Sequence, residues 1–170
     1  MNPFLKYLPF GLLGLGLGYL IFQFTEKRPS YLPPTMVDKR SIVVNAAMSQ
    51  VGSGDAQKYW DAVAPGVTAN KSLAWCGAFA LWAIKQAGLA GSWFWQLGKG
   101  FLYQLPITHS PQPGDVAYFS KMQHHAVVQS VNPDGSVNLI NGNGAGGKVS
   151  LSTSPQSAVA AFYSIQPLLV

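Results

Sequence analysis

Between Ser72 and Gly88 the chain reads SLAWCGAFALWAIKQAG, an apolar run with small residues set between Trp75, Phe79, Trp82 and Ile84. With almost no polar position, it predicts a helix buried all round, with Ser72 as N-cap and Gly88 as C-terminal stop. Upstream, Met36, Val37, Ile42, Val43, Ala46, Ala47 and Val51 mark one side of a helical pattern opening at Thr35 and closing at Gly52, with Lys39 and Arg40 on a solvated face. Residues 52–72, with Gly52, Gly54, Pro65-Gly66 and Asn70, read as loop, and core packing is the simpler role for the Tyr59-Trp60 pair inside it. Gly91 to Trp95 is an aromatic cluster that either lines a pocket or packs on the core. Beyond the Pro111–Asp115 turn, the pattern changes to short strands at Val116–Phe119, His125–Val131 and Ser136–Asn141, the last two joined by an Asn132-Pro133-Asp134-Gly135 turn. A Gly-rich loop over residues 142–147 and a last strand over Ala158–Ile165 follow. Helices first and antiparallel strands after predict an α+β class.

The remaining strong pattern is at the start. Leu8 to Phe24 carries no charged residue and at 1.5 Å per residue reaches about 25 Å, the short end for a bilayer crossing. Lys6 lies on one flank, Glu26-Lys27-Arg28 on the other, and Tyr7 and Tyr19 can anchor at an interface. No small-x-small cleavage site follows, which favours an uncleaved transmembrane anchor over a signal peptide. Residues 1–24 are therefore read as anchor, 25–34 as a stiff Pro-bearing linker and 35–170 as the folded domain. Gly14 and Gly18 form a GxxxG pair, which either lets two such helices self-associate or reflects membrane-helix composition. The flanking charges leave the orientation open.

Of 170 residues, 48% are hydrophobic and only 10% charged, much of the excess lying in that first segment. The net charge of +5 is scattered without a basic stripe, so nucleic acid is not an expected partner, whereas an anionic cell wall or lipid surface is. The single cysteine excludes an internal disulfide and a cysteine-rich zinc site. A metal site from His109, His124 and His125 lacks nearby carboxylates and is set aside.

That cysteine, Cys76, falls in the first turn of the apolar helix, where free N–H groups and the helix dipole favour a thiolate. It is either a nucleophile or a small core residue. His125 and Asn141 follow it in the order that nucleophilic catalysis uses: a base for the sulfur, then a polar group that orients the ring. A helix tip can face the start of a neighbouring strand, and the hairpin partner can carry Asn141 beside His125.

Ala74-Trp75-Cys76-Gly77-Ala78-Phe79-Ala80-Leu81-Trp82, Pro113-Gly114-Asp115-Val116 and His125-Ala126-Val127-Val128 ahead of Asp134-Gly135-Ser136 closely resemble the CHAP and NlpC-type papain-like amidohydrolases, over roughly residues 36–165. The resemblance implies a papain-like α+β domain, its cysteine helix packed on a small antiparallel sheet, here preceded by one transmembrane helix. It implies cleavage of an amide bond in peptidoglycan, at the muramoyl–alanine linkage or within the peptide stem or cross-bridge, without a cofactor. Cys76 is then the nucleophile, His125 the base and Asn141 the orienting residue, where CHAP sequences often have glutamate. Neighbours on a strand face opposite ways, so only one of His124 and His125 can meet Cys76, and the resemblance selects His125. Asn143 matches a second polar position of the family. The oxyanion hole would pair the Cys76 N–H with Asn70, whose other reading is a turn residue. Asp115 tightens its turn. The expected protein is a membrane-anchored hydrolase whose catalytic domain faces the cell wall, or which sits in the membrane of a lipid-containing virion. A catalytically inactive binding protein on the same fold and a cysteine acyltransferase are the alternatives.

Overall fold

A computed structural model describes residues 34–70, 73–91 and 105–170. The apolar run Leu8–Phe24 with its glycine pair, the linker as far as residue 33, Ser72 and the Trp93-Phe94-Trp95 rings lie outside the described residues. Among the described residues no helix is long and apolar enough to cross a membrane.

Helix α1 (Pro34–Met48) ends one turn before Gly52, whose φ of +89° closes the turn that follows it. Val43 and Ala47 are fully buried, while Val51, beyond the helix end, is exposed. The segment read as loop contains a second helix, α2 (Ala56–Val63), capped by Asp55, which accepts from the Lys58 N–H at 3.4 Å. Eight residues are too few to hold a helix by propensity. Burial of Tyr59 and Trp60, at 0% and 1% exposure, holds it instead. Helix α3 (Cys76–Gln86) starts later than expected: Trp75 is its N-cap and offers no side-chain capping bond. Every residue from Cys76 to Ile84 is buried, and Gly88 ends the helix at φ +67°. Tyr59 stacks on Trp75 at 5.1 Å and meets Phe79 and Trp82 edge-on at 5.2 and 5.3 Å, which locks α2 against α3.

Six antiparallel strands form one sheet in the order β1-β6-β2-β3-β4-β5: β1 (Ile107–Thr108), β2 (Val116–Phe119), β3 (His124–Val131), β4 (Ser136–Asn141), β5 (Ser150–Pro155) and β6 (Ala161–Tyr163). The three strands expected around the central hairpin are present, and the class is α+β. The last strand is shorter than expected, and β5 falls on an edge with a mostly exposed, polar sequence. The sheet buries both faces. Val116, Val127, Ile140 and Tyr163 join the core shared with the helices, whereas Ala117, Phe119, Ala126, Val128, Leu139 and Phe162 form a second, smaller cluster. This is the alternation that a two-residue side-chain period dictates.

Arg40 is not on a solvated face. Its guanidinium donates to Asp115 Oδ1 at 2.9 Å and to the Pro113 carbonyl at 2.7 Å. Asp115, 1% exposed, also accepts from the Ile165 N–H at 3.0 Å and the Gln112 N–H at 2.8 Å. Its carboxylate thus ties α1, the turn ahead of β2 and the C-terminal segment together, and residues Thr35–Val170 form one compact unit.

Candidate active site

Cys76 opens α3 and is 5% exposed. Burial raises its thiol above the ordinary value, although backbone N–H groups of His125, Gly77 and Cys76 itself hydrogen-bond toward the sulfur and pull the other way. The thiolate expected at a helix N-terminus is therefore not the resting form. Desolvation outweighs the N–H groups, and the sulfur carries its proton.

His124 opens β3 directly opposite Phe119. Its Nε2 lies 3.1 Å from Asn141 Oδ1. The amide orientation follows from its other contacts, since Asn141 Nδ2 donates to the Ser150 carbonyl at 3.2 Å and the Ser152 hydroxyl at 2.9 Å. A carbonyl can only accept, so the NH2 group faces β5 and the amide oxygen faces the ring. That oxygen also only accepts, so the neutral ring holds its proton on Nε2 and leaves Nδ1 with a lone pair. Burial keeps the ring neutral by lowering its pKa, against a smaller upward pull from the Asn141 bond.

The histidine expected in this role, His125, lies elsewhere. Along β3 it shares the face of Val127, not that of His124 and Ala126. It is 2% exposed, with its ring 5.1 Å from that of Tyr118. Burial, then the charge of His124, depresses it to about 4. Asn141 sits opposite Ala126 in the β3–β4 register, and so on the face that His124 occupies.

Cys76, His124, Asn141 and Asn143 line one open cavity of about 670 Å³, together with Met122, Gln123 and the Ser150–Ser152 edge of β5. Among the described residues that line it, none bears a carboxylate, ammonium or guanidinium. Gly142 follows Asn141 in the chain: a Cβ there would stand 2.6 Å from Phe79 Cγ, so only glycine lets the end of β4 lie on α3. Asn143, at φ +54°, lines this cavity and a neighbouring one of about 490 Å³. Asn70 lines only the neighbour, beside Leu73 and Trp75, and its carbonyl accepts the Leu73 N–H at 3.1 Å as a turn residue does. The structure does not bring it to the Cys76 cavity. Among the described residues, no three His, Cys, Asp or Glu side chains gather where a metal ion could be held.

A thiol, a neutral imidazole with a free Nδ1 and an amide that fixes the ring around one open space are the groups that nucleophile, base and orienter chemistry requires. No curated protein and no solved structure matches the chain. The model of the CHAP domain family matches residues 68–143, which include Cys76, His124, His125, Asn141 and Asn143. CHAP domains are typically cysteine- and histidine-dependent amidohydrolases associated with peptidoglycan hydrolysis. Over the stretch that holds this cavity's thiol, ring and amides, the chain is similar to the CHAP domain family.

Proposed function

We propose that this protein hydrolyses an amide bond of peptidoglycan, the muramoyl–alanine linkage or a bond of the stem or cross-bridge, with Cys76 as nucleophile, His124 as general base and Asn141 as the residue that orients the ring. The observation that carries this assignment is the 3.1 Å contact between His124 Nε2 and Asn141 Oδ1 on the wall of the cavity that Cys76 lines. His124 Nδ1 takes the thiol proton as sulfur attacks the amide carbon. The backbone N–H of Cys76 faces the oxyanion that forms. When the tetrahedral species collapses, the C–N bond breaks, the imidazolium gives its proton to the leaving nitrogen, and a thioester remains. The neutral ring then takes a proton from water as the water attacks the thioester, releasing a carboxylate and restoring the thiol. The described lining, which carries no fixed charge, suits a neutral amide as the reacting group.

The uncharged run Leu8–Phe24 supports attachment to a membrane, with the catalytic domain turned to the wall of a cell or carried in a virion membrane. Fractionation of cells expressing the chain with and without residues 1–24 tests this part.

Digestion of purified peptidoglycan, read by mass spectrometry, tests the chemistry. Cys76→Ala and His124→Ala should each lower turnover by roughly 10³-fold or more, while His125→Gln keeps turnover within about tenfold. Loss of activity in His125→Gln with retention in His124→Ala would overturn the assignment.

A further inference from the structure

Two non-glycine residues among those described hold a positive φ: Gln123 at +49° and Asn143 at +54°. Both line the cavity of Cys76. Gln123 is the last residue of the loop that joins Phe119 to His124, and its N–H closes that loop on the Ser120 carbonyl at 3.3 Å. The loop demands the left-handed conformation, and glycine or asparagine meets that demand at lower cost than glutamine. Nothing in the fold explains the costlier residue. The Gln123 side chain is exposed, and its carboxamide hydrogen-bonds to no described residue.

The amides around the cavity divide by what they already hold. Asn141 spends its carboxamide on His124, Ser150 and Ser152. Gln123 and Asn143 keep both donor and acceptor for whatever enters. A carboxamide offers one NH2 and one C=O, the complement of a peptide unit. Position then decides which part of the substrate Gln123 meets. His124 hands its proton to the leaving nitrogen, so the leaving group lies on the His124 side, and Gln123 directly precedes His124 in the chain.

Building on the hydrolase reading above, we infer that Gln123 is a substrate-positioning residue whose carboxamide pairs with the backbone of the leaving-group segment next to the scissile bond. The ligand chemistry it selects is a leaving group that continues as peptide, with at least one further amide beyond the scissile nitrogen.

The test uses Gln123→Gly, which removes the side chain and relaxes the backbone together, and Gln123→Asn, which keeps a shorter amide. Gln123→Gly should melt at or above the wild-type temperature while kcat/KM on peptidoglycan fragments falls about tenfold, the size of one lost neutral hydrogen bond. Gln123→Asn should recover part of the loss. On a substrate whose leaving group ends at the first residue, the three proteins should be equal. A Gln123→Gly protein as active as wild type on the longer substrate overturns the inference and leaves the hydrolase reading standing. Calorimetric titration of Cys76→Ala with the same fragments separates the two failures. If wild type cleaves nothing but Cys76→Ala binds, the hydrolase reading falls, and the positioning role stands only if Gln123→Gly in that background weakens binding about tenfold. If Cys76→Ala binds nothing, both fall.

Discussion

Truncating Asp115 should be among the most damaging single changes outside the Cys76 cavity. The carboxylate accepts three hydrogen bonds, from the Arg40 guanidinium at 2.9 Å and from the backbone N–H groups of Ile165 and Gln112 at 3.0 and 2.8 Å. With Asp115 at 1% exposure and the Arg40 side chain at 14%, water can replace little of this. One charge-assisted bond at about 2 kcal/mol and two backbone bonds at about 1 kcal/mol each give about 4 kcal/mol for Asp115→Ala. That agrees with the ~3–5 kcal/mol typical of breaking one side of a buried pair, and it is a large part of a domain stability of about 5–15 kcal/mol. Arg40 keeps the Pro113 carbonyl at 2.7 Å and Gln166 Oε1 at 3.3 Å, which keeps the loss from the upper end of the ~3–5 kcal/mol range. Urea unfolding of wild type, Asp115→Ala, Arg40→Met and Arg40→Met/Asp115→Ala measures it, with unchanged m-values expected. The double variant leaves no charge stranded, so it should cost clearly less than the two single losses added together. A loss under about 1 kcal/mol for Asp115→Ala, or strict additivity in the cycle, would refute the reasoning.

Three further outcomes follow from the site. Because burial raises the Cys76 thiol, alkylation by iodoacetamide should accelerate up to and beyond the ordinary thiol pKa; a plateau near neutral pH would mean a resting thiolate. His125 falls from an ordinary 6.5 to about 4 on folding, so the unfolded chain takes up this proton first as pH drops. Its contribution to stability is complete above pH 6.5 and is lost toward pH 4, a loss of about 3 kcal/mol that His125→Gln should remove from the pH profile of the melting temperature. Gly142→Ala should destabilise by about 1–3 kcal/mol and slow hydrolysis, since its methyl group overlaps Phe79 and pushes the end of β4 off α3; a variant with wild-type melting and rate would show that this contact yields freely.

The elements that could be read in advance are those whose burial leaves a mark in composition. Helix α3 was legible because all its residues from Cys76 to Ile84 are interior, so apolarity ran unbroken. The central hairpin was legible through Asn132-Pro133-Asp134-Gly135, where Asp134 accepts the Ser136 N–H at 2.8 Å and Gly135 takes φ +82°. Helix α2 and strand β5 were not. Helix α2 is two turns long and sits between glycines and a Pro-Gly pair, so local signals favoured loop while two aromatic rings, by tertiary packing, decided for helix. Strand β5, SLSTSP, lies on an edge with little to bury and is held by its pairing with β4 from Ser136↔Pro155 to Asn141↔Ser150. Arg40 was misplaced for a related reason: its partner lies 75 residues away, and no local pattern announces it.

Besides Asn70, which lines the neighbouring cavity, the reading that the structure rearranges is the parity of the two histidines. The cysteine needed only its place at a helix start, but the histidine needed a register. Ala126, Val127 and Val128 are apolar on both faces of β3 because each face has its own core, so alternation could not say which of His124 and His125 points where. The partner strand could. Counting back from a turn over residues 132–135 sets Val131 opposite Ser136 and carries Asn141 to Ala126, the face of His124. At the turn itself the observed pairs are Val131↔Val137 and Ser130↔Asn138, one step off that count. Gln129 is an extra residue in β3, and past it the pairs are Val128↔Leu139 and Ala126↔Asn141, so the bulge restores the simple count at the Cys76 cavity. An orienting amide at Asn141 therefore selects His124. A residue inserted or deleted between Val128 and Ser130 would turn the other histidine toward it.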